Sequence, residues 1–157
     1  MKSNTKFLLF PCLLFSVLFF SAGNSPAGEH VKTAVFAGGC FWCMEADFEK
    51  VPGIIEVVSG YTGGTSNNPN YNNYGKSGHI EAVRIEYEPS VIKYRQLLDI
   101  FWVNIDPTDK EGQFCDRGHE YSSAIFFLTK DQQKLAAASK TLIEKSGILS
   151  EPVKTPI

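Results

Sequence analysis

Phe36-Ala37-Gly38-Gly39-Cys40-Phe41-Trp42-Cys43-Met44-Glu45 is the stretch on which the reading of the whole chain turns. Upstream of it, Val31 to Ala37 is apolar enough for a central, largely buried strand. Gly38-Gly39 ends that strand, and from Cys40 to about Lys50 the apolar spacing becomes helical. Phe41, Met44, Phe48 and Val51 fall on one side, with Trp42, Ala46 and Glu49 turned away, until Pro52-Gly53 stops the helix. One strand-turn-helix unit therefore delivers Cys40 to a helix start. Unpaired backbone N–H groups and the helix dipole favour a thiolate there, which makes reactive sulfur the first expectation.

Working outward, Ile54 to Ser59 is a β-branched strand ended by Gly60-Tyr61-Thr62-Gly63-Gly64. The polar segment Thr65 to Gly78 cannot bury much apolar area, and loops of that length in compact domains are usually functional or disordered. Its two tyrosines favour function, although Tyr74 alone also reads as an anchor for the loop. His79 to Tyr87 alternates as a strand, with Glu81 on the same side as Val83, Ile85 and Tyr87. A carboxyl facing apolar neighbours favours its neutral form, as an acid catalyst needs.

Ser90 is placed to cap a helix to about Asn104, with Val91, Tyr94, Leu97, Leu98, Phe101 and Trp102 as its apolar stripe. A second polar loop, Thr108 to Gly118, carries Cys115 and Asp116. Tyr121 to Leu128 reads as a strand, and Thr129 caps a final helix to Ser146. The order β-α-β-β-α-β-α predicts an α+β, ferredoxin-like two-layer sandwich: a mixed sheet with helices mainly on one face. Ile148 to Ile157 looks like the approach to another extended element, and a truncated reading frame is one reading of it.

Residues 1–27 read as a signal peptide. Lys2 and Lys6 precede an apolar run from Phe7 to Phe20, then small residues that allow cleavage after Gly23 or Ala27. Export, to a bacterial periplasm, is the expectation, with a retained N-terminal anchor as the alternative. Residues 28–157 then form a single catalytic domain. The formal charge of −2 offers nothing to attract nucleic acid. Cys40, Cys43 and Cys115 remain after cleavage. Three cysteines cannot all pair within one chain, so this is not a disulfide scaffold.

Cys40-Phe41-Trp42-Cys43 has the spacing of both thiol redox sites and zinc half-sites. Zinc would need two more ligands, which Cys115 with His79 or His119 could supply, but there is no second paired-cysteine motif. No metal or cofactor is expected. A general thiol-disulfide oxidoreductase is the better rival, with Cys40 attacking and Cys43 resolving. His79 is expected to support its loop and His119 to be partly exposed.

The full decapeptide resembles the nucleophile motif of the peptide methionine sulfoxide reductase A family, Gly-Cys-Phe-Trp followed by a variable residue, here Cys43. The likeness continues through Gly60-Tyr61-Thr62-Gly63-Gly64, Asn68-Pro69-Asn70-Tyr71, Gly78-His79-Ile80-Glu81-Ala82-Val83, Asp106-Pro107, Gly112-Gln113 and Cys115 to Ile125. The resemblance implies that Cys40 attacks the sulfoxide sulfur and becomes a sulfenic acid while methionine leaves. It implies that Glu81 protonates the oxygen, that Tyr71 and Tyr121 hydrogen-bond it, and that Phe41 and Trp42 enclose the methyl group. Asp116 matches a buried carboxylate that orders the site. The expected epimer is S.

Many relatives resolve the sulfenic acid with C-terminal cysteines that this chain lacks. Cys43, Cys115 and an external thiol remain as candidates. Electrons are expected from a thioredoxin-like dithiol, with oxidised proteins or peptides as substrates and a monomer as the working unit. The family normally continues beyond the position of Ile157 into an aromatic segment, which makes weak activity or low stability an expectation for the chain as written. A binding remnant is the non-enzymatic alternative.

Overall fold

The computed structural model describes residues 31–157. The expected signal peptide lies outside the described residues. Strand β1 (Lys32–Gly38) leads into helix α1 (Phe41–Phe48), then β2 (Ile54–Thr62), β3 (Ile80–Tyr87) and helix α2 (Tyr94–Val103). A two-residue ribbon, β4 (Gly112–Gln113) with β5 (Asp116–Arg117), precedes β6 (Ser123–Phe126) and helix α3 (Lys130–Lys145).

The main sheet has the order β2-β3-β1-β6, the ferredoxin-like arrangement expected. Every neighbouring pair is antiparallel, not mixed. The reason is topological. Each helical crossover joins two strands that run the same way, β1 to β2 and β3 to β6, but an opposed strand lies between the members of each pair.

One sheet face carries Phe36, Val57, Val83, Ile85 and Ile125 against Phe41, Met44 and Phe48 of α1 and Leu97, Leu98 and Phe101 of α2. The Phe36 ring centres this core, 5.8 Å from Phe48 and 5.0 Å from Phe101. Phe41, Met44 and Phe48 are buried while Trp42, Ala46 and Glu49 are exposed, as the helical spacing requires. Helix α3 packs outside α2, where Trp102 Nε1 donates to Ser139 Oγ at 3.0 Å. A smaller cluster of Ala37, Ile80, Ala82 and Ala124 lies apart from this core.

Three boundaries depart from the sequence expectation. Ser90 does not cap α2; its hydroxyl donates to Glu88, and the helix begins at Tyr94 after a turn. Val91 consequently lies off the stripe and is exposed. The second polar loop contains the β4-β5 ribbon, and Tyr121 belongs to a short 3-10 turn, His119–Tyr121, not to β6. Residues 148–157 form no strand, yet they dock along β6: Ile125 N–H donates to Pro156 O at 3.0 Å and Ser123 Oγ lies 2.8 Å from Thr155 Oγ1.

Candidate active site

Cys40 occupies the position before α1, and its carbonyl accepts from the N–H groups of Cys43 and Met44 at 3.1 and 3.2 Å. The turn that delivers it depends on Gly39, whose φ is +88° and where a Cβ would fall 2.7 Å from Gln113 Cβ. Gln113 is fully buried and clamps the neighbouring loop: its Oε1 accepts from Asp106 N–H at 2.7 Å and its Nε2 donates to Asp106 O at 2.9 Å. The turn before the cysteine is thus wedged from below by a side chain that cannot swing away.

Glu81, near the start of β3, is only 2 % exposed. Its Oε2 accepts from the Phe41 N–H at 2.8 Å, one of the amides a helix start leaves unpaired. Its Oε1 accepts from the Tyr74 hydroxyl at 2.7 Å. Burial pushes the Tyr74 phenol far up, reinforced by its hydrogen bonds to Glu81 and Tyr121, so it stays a proton-bearing donor across the physiological range. At Tyr121 the hydrogen bond with Tyr74 pulls the other way, but burial and the nearby Glu81 charge outweigh it and the phenol is also raised.

Aromatic rings wall this group. Phe41 lies 5.6 Å from Tyr61, which stacks on Tyr74 at 4.5 Å, and Trp42 is 5.3 Å from Phe41. A thiol at a helix start, a buried carboxyl beside it and two phenol donors suit a reaction in which sulfur is attacked while a polar oxygen is protonated.

The family model described as peptide methionine sulfoxide reductase matches residues 32–157. The chain belongs to the peptide methionine sulfoxide reductase A family. The reductase from Bacillus subtilis is 50% identical over 131 residues, covering 82% of this chain and 74% of that one. Reduced Mxr1 from Saccharomyces cerevisiae superposes with a TM-score of 0.74 at 27% identity, over 81% of this chain and 75% of Mxr1. Mxr1 in complex with Trx2 matches at TM-score 0.54 and 24% identity, over 79% and 77%, a likeness of fold alone. The chain is accordingly a methionine sulfoxide reductase.

In this reductase the sequence expectations are met unequally. Tyr74, read mainly as a loop anchor, is the hydroxyl on Glu81, while Tyr71 is 56 % exposed and lays its ring on Trp42 at 5.8 Å and 16°. Which tyrosine lands on the carboxyl depends on how the loop coils. Asn70 O accepts from both Asn73 N–H and Tyr74 N–H at 3.0 Å, Asn73 Oδ1 accepts from Asn70 N–H at 2.7 Å, and the 3-10 turn Gly75–Ser77 follows. Two tyrosines in so polar a segment were the available signal.

His79 supports this loop as expected. Its Nδ1 accepts from Gly64 N–H at 3.2 Å, which leaves Nε2 to donate to Ser66 O at 3.0 Å. His119 is exposed. Asp116 is half-buried, less enclosed than the resemblance implies, because it stands on the short surface ribbon. Together with Cys40, Cys43 and Phe114 it lines a cleft of about 250 Å³.

Cys43 is exposed, and its thiol is pushed up first by hydrogen bonding to the Cys40 sulfur, then by burial and by the charges of Cys40, Asp116 and Asp47. Cys115 is exposed between Phe114 and Asp116 and does not line the cleft. Among the described residues no group of three or more His, Cys, Asp or Glu side chains is arranged to hold a metal ion.

Proposed function

We propose that the protein reduces the S epimer of methionine sulfoxide in proteins and peptides through Cys40. The thiolate attacks the sulfoxide sulfur while Glu81 gives a proton to the oxygen, so that methionine leaves and Cys40 carries a sulfenic acid. Tyr74 and Tyr121 hold the oxygen from the phenol side, and Phe41 and Trp42 take the methyl group. A sulfur held at methyl, oxygen and peptide arm admits one epimer. The observation that carries this reading is the Glu81 carboxyl bridging the helix start at Phe41 and the Tyr74 hydroxyl.

Cys43 then attacks the sulfenic sulfur, water leaves, and a Cys40–Cys43 disulfide forms; the shared cleft of Cys40 and Cys43, which Cys115 does not line, supports that pairing over Cys115. A thioredoxin-type dithiol returns both thiols, in keeping with Mxr1 having been captured with Trx2. The apolar run Phe7 to Phe20 behind Lys2 and Lys6 supports export with cleavage after Gly23 or Ala27.

The test uses a peptide carrying resolved S and R sulfoxides with dithiothreitol, each epimer followed by chromatography. Loss of the S epimer alone, abolished by Cys40→Ser, is expected. Loss of both epimers, or of neither from folded protein, overturns the reading.

A further inference from the structure

We propose that the protein reductant docks on the face made by Phe114 and Val103, on the Cys43 side of the redox pair and away from the sulfoxide side. The inference rests on the Cys40–Cys43 disulfide proposed above.

Phe114 is the only non-glycine residue with a positive φ among the described residues, at +51°, and it is 68 % exposed. A bulky aromatic in the left-handed region carries backbone strain that Asn or Gly would relieve, and exposure of its ring adds a second cost. Such a residue gains nothing for the fold by being phenylalanine; strain of this kind points to use. Val103, the last residue of α2, is 81 % exposed because it falls off the buried stripe of Leu97, Leu98 and Phe101. Both line the cleft that holds Cys40 and Cys43.

The hollow bounded by Tyr71, Tyr74 and Tyr121 shares no residue with that cleft. Cys40 and Cys43 both line the cleft of Phe114 and Val103, and the exposed Cys43 is open to an external thiol there. Exchange needs an unobstructed line to a disulfide sulfur, and Cys43 offers one. The incoming thiolate bonds to Cys43 Sγ and the Cys40–Cys43 bond breaks, releasing Cys40 as thiolate. The partner's second thiolate then displaces Cys43, and two electrons have passed, leaving the partner as its disulfide.

Asp47 and Asp116 border the apolar pair in the same cleft. The partner that fits is a dithiol protein with an apolar rim around its reactive cysteine and a basic residue at the edge of that rim.

The experiment compares Phe114→Asn and Val103→Glu with the parent protein, using either dithiothreitol or a thioredoxin recycled by its reductase and NADPH. Each variant is expected to raise KM for thioredoxin about tenfold, the loss of one anchor residue. The dithiothreitol-supported turnover should stay unchanged, and Phe114→Asn should melt no lower than the parent. An unchanged thioredoxin KM in both variants overturns the inference. A raised peptide KM with dithiothreitol overturns it too, by giving the surface to the substrate. Failure of the parent to reduce sulfoxide with dithiothreitol would instead strike the proposed function.

Discussion

The Tyr74 hydroxyl reaches the Glu81 carboxyl at 2.7 Å, and that bond joins the polar loop to the strand beside the nucleophile. Tyr74→Phe is expected to lower kcat about 100-fold, in the range for removing one preorganised donor from a reacting oxygen. Tyr71→Phe should change it little, since Tyr71 meets Trp42 with its ring. Steady-state kinetics of both variants decide the assignment, and equal losses would return the role to Tyr71.

Glu81→Gln keeps the shape and removes the transferable proton. Single-turnover formation of sulfenic acid, read with a dimedone-type probe, should slow by about 100-fold or more. Substrate KM should move far less. A normal single-turnover rate would mean that the proton comes from elsewhere.

The Cys43 thiol is held up chiefly by its hydrogen bond to the Cys40 sulfur. A raised thiol has less thiolate at a given pH, so alkylation of Cys43 should rise later with pH than for an ordinary cysteine. Cys40→Ser removes the sulfur that is the first cause, and the Cys43 alkylation profile should shift to lower pH. Iodoacetamide labelling resolved by peptide mass measures this; an unmoved or upward shift contradicts it.

His79 ties Gly64 N–H and Ser66 O to the end of the loop. His79→Leu should destabilise the protein by about 2 kcal/mol, roughly one for each hydrogen bond lost. It should also open the Gly63–Gly78 loop to proteolysis before global unfolding. Denaturant titration and timed proteolysis together separate a local from a global effect.

Much of this was legible in the residues because it depends on local chemistry. Gly38-Gly39 ahead of a helical pattern places Cys40 at a helix start, and alternation along β3 turns Glu81 inward. What sequence did not reveal depends on long-range placement. That Tyr74 and not Tyr71 touches Glu81 is decided by hydrogen bonds inside an irregular loop, and the antiparallel pairing by which strand inserts between two others. Ser90 had the right chemistry for a cap, but Lys93 stands before α2 and Gln96 Oε1 accepts its N–H at 2.9 Å. Phe114 carried no sequence signal, because its oddity is a dihedral angle.

The Pro156 carbonyl that receives Ile125 N–H also bears on how copies of this protein behave at high concentration. Proline has no N–H, so a foreign strand arriving from that side finds a residue unable to complete a ladder. Stacking of molecules through β6 is thereby discouraged, and among the described residues the outer border of β2, with Ile55 and Val58 exposed, is where fibril-like association would begin.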